Sequence, residues 1–135
     1  MTSGEKQFVM GIGGVFFKCK DRAALVEWYR KHFGINDDGY GATFPFKGDE
    51  AKGRPGYSVW SPFEQDSDYF SPSTKGFMIN FRIRDLVEFV ELLRSEGVDI
   101  VGEVEEYDYG RFAWVMDPEG TKIELWEPLG ETPDG

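Results

Sequence analysis

Residues 77–100 read FMINFRIRDLVEFVELLRSEGVDI, and they divide into two periodicities. Over the first seven positions the large apolar residues Phe77, Ile79, Phe81 and Ile83 alternate with Met78, Asn80 and Arg82, the period of a strand with two unlike faces. From Leu86 onward the spacing changes. Leu86, Phe89, Val90 and Leu93 fall on one side of a helix, and Glu88, Glu91 and Arg94 on the other. Asp85 stands where an N-cap belongs, and Gly97 where the chain leaves a helix.

Residues 13–35, GGVFFKCKDRAALVEWYRKHFGI, repeat that order. Val15, Phe17 and Cys19 alternate with Gly14, Phe16 and Lys18. Asp21 then precedes a helix whose apolar side carries Leu25, Trp28, Tyr29 and Phe33, and Gly34 closes it. Farther on, SVWSP at 58–62 and ELWEP at 124–128 match at Trp60 with Trp126 and at Pro62 with Pro128. These landmarks recur at offsets between 63 and 66 residues, so one strand–helix–strands unit occurs twice. The expected organisation is a single α+β domain over 1–135. Module one covers about 8–62, a linker about 63–75, module two about 76–129, and a disordered tail 130–135.

Each helix has one apolar face that a sheet must cover. The opposite sheet face is mixed, with Met, Asn, Arg, Glu, Trp and Ser, which suits either a half-solvated sheet or the lining of a small-molecule cavity. Asp117-Pro118-Glu119-Gly120 predicts a tight turn joining FAWVM (112–116) to TKIELW (121–126). The segments 39–41, 47–49 and 54–56 bracket the middle strands of module one. The linker PFEQDSDYFSPSTK (62–75) keeps Phe63, Tyr69 and Phe70, too many aromatics for a solvated strap, so it is expected to pack over the cavity rim or a partner chain.

A net charge of −10 repels phosphate backbones and anionic lipid, which argues against nucleic acid and membrane surfaces as partners. No segment approaches the roughly 18 apolar residues of a membrane span. Cys19 is the only cysteine, so no intrachain disulfide forms, and a cytoplasmic setting is expected. Twelve Phe, six Tyr and four Trp are more flat surface than a small core requires, which hints at an aromatic-lined cavity. No phosphate-cradling loop, HExxH, CxxC or nucleophile elbow is present.

The tandem strand–Asp–helix–Gly units ending in DPEGTKIELWEP resemble the vicinal oxygen chelate superfamily, which includes glyoxalase I, bleomycin-resistance proteins and extradiol dioxygenases. The resemblance covers residues 8–129. It implies two βαβββ modules forming a curved, mostly antiparallel eight-stranded sheet around a cleft, with helices on the outer face, and commonly a homodimer. It also implies four metal-ligand positions, on the first and last strand of each module. These fall on Gly14, Ser58, Met78 and Glu124, of which only Glu124 is a ligand type for Zn, Ni, Fe or Mn. A slip of one residue still finds no His or Glu in GIGGVFF or FMINF. His32, near the end of helix one, belongs to a solvated helix end. No divalent metal and no other cofactor is therefore expected.

The expected function is metal-free binding of a small amphipathic or cationic molecule, in the manner of a bleomycin-resistance protein. The alternative is a glyoxalase-like lyase or isomerase with Glu124 as base or sole remaining ligand. Phe16, Ser58, Trp60, Met78, Asn80, Arg82, Arg111 and Trp126 are the candidate ligand-binding residues. Trp60 and Trp126 are expected as paired walls, or else as fold packing. Glu124 either recognises a ligand, acts as the base, or pairs with Arg82 or Arg111. Tyr109, at a strand start, is a lesser candidate.

Overall fold

The computed structural model describes residues 7–45 and 57–129. The expected turns at 47–49 and 54–56 and the tail at 130–135 lie outside them. The elements run β1 (Val9–Cys19), α1 (Arg22–Phe33), β2 (Ala42–Pro45), β3 (Tyr57–Glu64), β4 (Phe77–Ile83), α2 (Leu86–Ser95), β5 (Asp99–Tyr107), β6 (Gly110–Met116) and β7 (Lys122–Pro128). All strands of the described residues join one sheet in the order β2-β3-β1-β4-β7-β6-β5. In place of the eight strands implied by the resemblance, the described residues form seven. The sheet is mixed: β1 with β3 and β4 with β7 are parallel, and the remaining pairs are antiparallel.

Each module closes its first strand against its last through a parallel pair, and the modules meet along the antiparallel β1–β4 pair. That seam is crowded. A Cβ on Gly13 would collide with Asn80 Oδ1 and lie 2.8 Å from Arg82 Cγ and 2.9 Å from Trp126 Cε3. Only glycine lets module two lay these side chains across β1.

The two helices end as their residues dictate but begin differently. Asp21 accepts from the Ala24 N–H at 3.0 Å, and Gly34 closes α1 at φ 69° with its N–H on Arg30 O. Asp85 occupies the N-cap place of α2 at φ 55° without a side-chain capping bond. The cap comes from β7 instead, where Glu127 accepts from the Asp85 and Leu86 N–H groups at 3.1 and 3.2 Å. A carboxylate at a helix N-terminus satisfies otherwise orphaned donors, whichever strand supplies it.

One core lies between α2 and the sheet: Phe8, Ile83, Leu86, Phe89, Val90, Ala113, Val115 and Leu125. A second lies on the opposite face, where Phe16, Met78 and Trp114 meet Phe70 of the linker. The linker therefore packs over the helix-free face of its own sheet, with Phe70 fully buried and Phe63 against Phe16, Tyr69 and Phe70. The turn at 117–120 forms as expected, with Asp117 Oδ1 accepting from the Glu119 and Thr121 N–H groups. Burial of Phe70 predicts that Phe70→Ala costs about 3–5 kcal/mol in urea unfolding. Trp28→Ala on half-exposed α1 should cost on the order of 1 kcal/mol. Equal losses would show that the linker does not belong to the core.

Candidate functional site

Period two in β4 and β7 sends Asn80 and Glu124 to the helix-free face, side by side in the parallel register Asn80↔Glu124. β6 adds Phe112 and Trp114 to this face, because Ala113 and Val115 are drawn into the α2 core. The ambiguous strand FAWVM is thus resolved by which of its two apolar faces α2 covers.

A cavity of about 550 Å³ opens here. Phe16, Tyr57, Val59, Phe112 and Trp126 wall it, Asn80 and Glu124 lie at its floor, and Asp38, Tyr40 and Gly41 reach its rim. The rim loop is anchored by Arg22, which forks onto Asp37 at 2.6 and 3.1 Å and donates to Pro62 O at 2.8 Å. The guanidinium holds the Asp37 carboxyl below its ordinary range. Tyr57 meets Trp126 edge-on at 4.9 Å, and Phe112 stacks on it at 6.4 Å.

Glu124 is 2% exposed. Its Oε1 accepts from Asn80 Nδ2 at 2.6 Å, and its Oε2 accepts from Trp114 Nε1 at 2.9 Å and from the Tyr69 hydroxyl. Burial raises the carboxyl above its ordinary range, opposed by these three donors and by the charge of Lys122. Tyr69 is pushed up by its own burial and then by the neighbouring carboxylate, so it keeps its proton. Lys122 is lowered by burial; its ammonium donates to Tyr69 O at 2.7 Å.

Of the residues singled out in the sequence, Phe16, Asn80, Glu124 and Trp126 come together in the cavity, with the lesser candidate Tyr109 also in its lining. Met78 is buried in the linker-covered core, in contact with its cluster rather than the cavity wall. Arg82 is buried against β1 beside Gly11 and Gly13. Arg111 turns away, bonding Glu106 at 2.9 Å and Glu127 at 3.2 Å. Trp60 lies on the helix side, 4.8 Å from Tyr29 and 5.6 Å from Phe17, and Ser58 shares that face by strand alternation.

The match of SVWSP to ELWEP is therefore one residue out of phase, which exchanges the faces of a strand. Tyr57 and Val59 take the cavity places in β3. Sequence reasoning did not assign a cavity role to these two or to Phe112, whereas Phe63, Tyr69 and Phe70 of the linker were marked as covering residues. The signal for β3 lay in Tyr57 and Val59 sharing a period with Ser61, an alternation that the Trp–Pro match overrode.

Among the described residues, no group of three or more His, Cys, Asp or Glu converges to hold a metal ion. At this face the first strand offers Gly13, Gly14 and Phe16, none of which has a side-chain lone pair for a metal, and both oxygens of Glu124 already face N–H or O–H donors. Such a donor set does not fit a divalent ion, which needs converging lone pairs.

The duplicated parallel-closed modules have counterparts among solved structures. A methylmalonyl-CoA epimerase in complex with methylmalonyl-CoA and NH4+ superposes with a TM-score of 0.69 at 18% identity, covering 94% of this chain and 100% of that one. A variant of the Streptomyces coelicolor methylmalonyl-CoA epimerase in complex with 2-nitronate-propionyl-CoA gives 0.68 at 18% identity, over 90% and 99%. The epimerase from Mycobacterium tuberculosis gives 0.58 at 24% identity, over 93% and 92%. The chain has the vicinal oxygen chelate fold. No protein-family model matches it, and no curated protein does. At these identities the likeness to other proteins of vicinal oxygen chelate fold extends to backbone architecture alone.

The buried carboxyl gives the fold a pH signature. Because the folded state raises the proton affinity of Glu124, its contribution to stability is full below the unfolded carboxyl pKa and is lost as pH rises through the folded one. The stability of the native chain relative to Glu124→Gln, measured by urea unfolding, should thus fall as pH rises from about 4. A difference that grows with pH would show a carboxylate stabilised by its donors beyond the burial cost.

Proposed function

We infer that this protein binds a small, flat, amphipathic molecule in the cup walled by Phe16, Tyr57, Phe112 and Trp126, without a metal ion. One observation carries this: an aromatic-walled cavity of about 550 Å³ has a single carboxylate at its floor, and that carboxylate is engaged by the protein's own donors. A cavity of this size, mostly apolar with a few polar groups, suits a ligand held by ring faces and oriented by one or two hydrogen bonds. Tyr40, Tyr57 and Tyr109 bring phenol groups to its lining.

Two of the epimerase structures hold acyl-CoA-type ligands, but among the described residues no Lys or Arg lines this cup. A net charge of −10 disfavours the approach of a multiply charged phosphate. Lyase or isomerase chemistry at Glu124 requires the base to reach a substrate proton, and Tyr69, Asn80 and Trp114 occupy both of its oxygens. Sequestration asks for no such release. A cytoplasmic homodimer fits the same picture: α1 contributes no fully buried residue, and Ile12, Trp28 and Phe33 are exposed on that side. Sedimentation equilibrium returning a monomer would remove the dimer.

A thermal-shift screen of planar aromatic compounds should give hits whose affinity drops roughly tenfold or more in Trp126→Leu. Dialysis against Zn, Ni and Mn followed by elemental analysis should leave no stoichiometric metal. One tightly held divalent ion per chain, or hits indifferent to Trp126, would overturn this function.

A further inference from the structure

A second cavity, of about 460 Å³, adjoins the first across the shared rings of Tyr109 and Phe112. A bulge in edge strand β5 borders it. Val101 faces Trp114 and Glu105 faces Phe112, so β5 places three residues between these partners where β6 places one. Gly102, at φ 73°, takes the left-handed conformation within the bulge. An edge strand with extra residues bends away from its neighbour, and here Glu103, Glu105 and Tyr107 line the space it borders.

We propose that this groove is a second binding site, for an organic cation carrying a quaternary or protonated alkylammonium group. Tyr107 and Tyr109 stack at 5.4 Å and 7°, and each meets Phe112 edge-on at 6.0 Å, so the three rings form a corner. Ring faces attract cations through their quadrupole, and aromatic corners of this kind hold ammonium groups. Glu103 and Glu105 add formal charge at the same wall, and the Tyr107 hydroxyl donates to Glu105 Oε1 at 2.6 Å, fixing one carboxylate in place.

The inner end of the groove already holds an ammonium. Lys122 Nζ lies 5.3 Å from the centroid of the Tyr69 ring and 5.7 Å from that of Trp114. One of its protons is spent on Tyr69 O at 2.7 Å. The inner rings are thereby occupied, and the outer corner of Tyr107, Tyr109 and Phe112 is the part left for a ligand. Two carboxylates against one lysine leave that corner negative, so an anionic ligand is disfavoured. Glu103, Glu105 and Tyr107 do not line the first cavity, so the two sites can fail separately.

The test uses choline and its neutral isostere 3,3-dimethylbutan-1-ol, titrated into the 1–135 chain at low salt and followed by calorimetry and NMR. Choline should bind about tenfold more tightly than the alcohol, as charge recognition by rings and carboxylates requires. Tyr107→Leu and the double variant Glu103→Gln/Glu105→Gln should each weaken choline about tenfold. Tyr107 is 45% exposed, so its replacement leaves the core intact. Trp126→Phe should leave choline binding unchanged, which separates this site from the cup. Equal affinity for the alcohol, no choline binding at tens of millimolar, or choline binding untouched by all the groove variants overturns the proposal.

Discussion

The close approach at Gly13 is the constraint on which the arrangement rests. Two modules share one sheet only because β1 and β4 pair across a seam where Asn80, Arg82 and Trp126 need the volume of a missing Cβ. Move those side chains and the floor of the cup goes with them, since Asn80 orients Glu124 and Trp126 carries the wall. Backbone proximity without a side chain is a use of glycine independent of turns, and a substitution there forces a shift of packed neighbours rather than of a free rotamer.

The buried carboxylate is the second organising feature. Taking Glu124 out of water is costly, and the structure answers with three donors from three different places: the linker, β4 and β6. Through Tyr69 the cluster ties the linker to the sheet by hydrogen bonding, as Phe70 does by apolar contact. Three donors take up three of the roughly four acceptor sites of the carboxylate, so its orientation is fixed by the protein itself.

The two modules have diverged in how they finish themselves. Module two covers its outer face with α2, capped from β7 by Glu127 and burying Leu86, Phe89 and Val90. Module one carries α1 with none of its residues fully buried, its aromatic residues Trp28, Tyr29 and Phe33 packed on one another at tilted or edge-on angles and Tyr29 against Trp60. The acidic edge at β5 belongs to module two alone. The α2 core thus belongs mainly to module two, the linker-covered core draws on both modules, and both contribute walls to the cup.

Local information in the sequence was enough for the repeat, both helices, the alternation of β4 and β7, the turn at Asp117 and the placement of Asn80, Glu124 and Trp126 on one face, because periods of 2.0 and 3.6 are properties of neighbouring residues. The phase of β3 was not local. Trp60 and Trp126 look equivalent in the sequence, yet a one-residue difference in register sends them to opposite faces, and register is set by pairing partners far along the chain. Nor could composition tell that Tyr69 reaches Glu124 across 55 residues, that Glu127 and not Asp85 caps α2, or that Arg111 turns outward. Those contacts compete with alternatives of similar chemistry, and only the packed sheet decides which donor meets which acceptor.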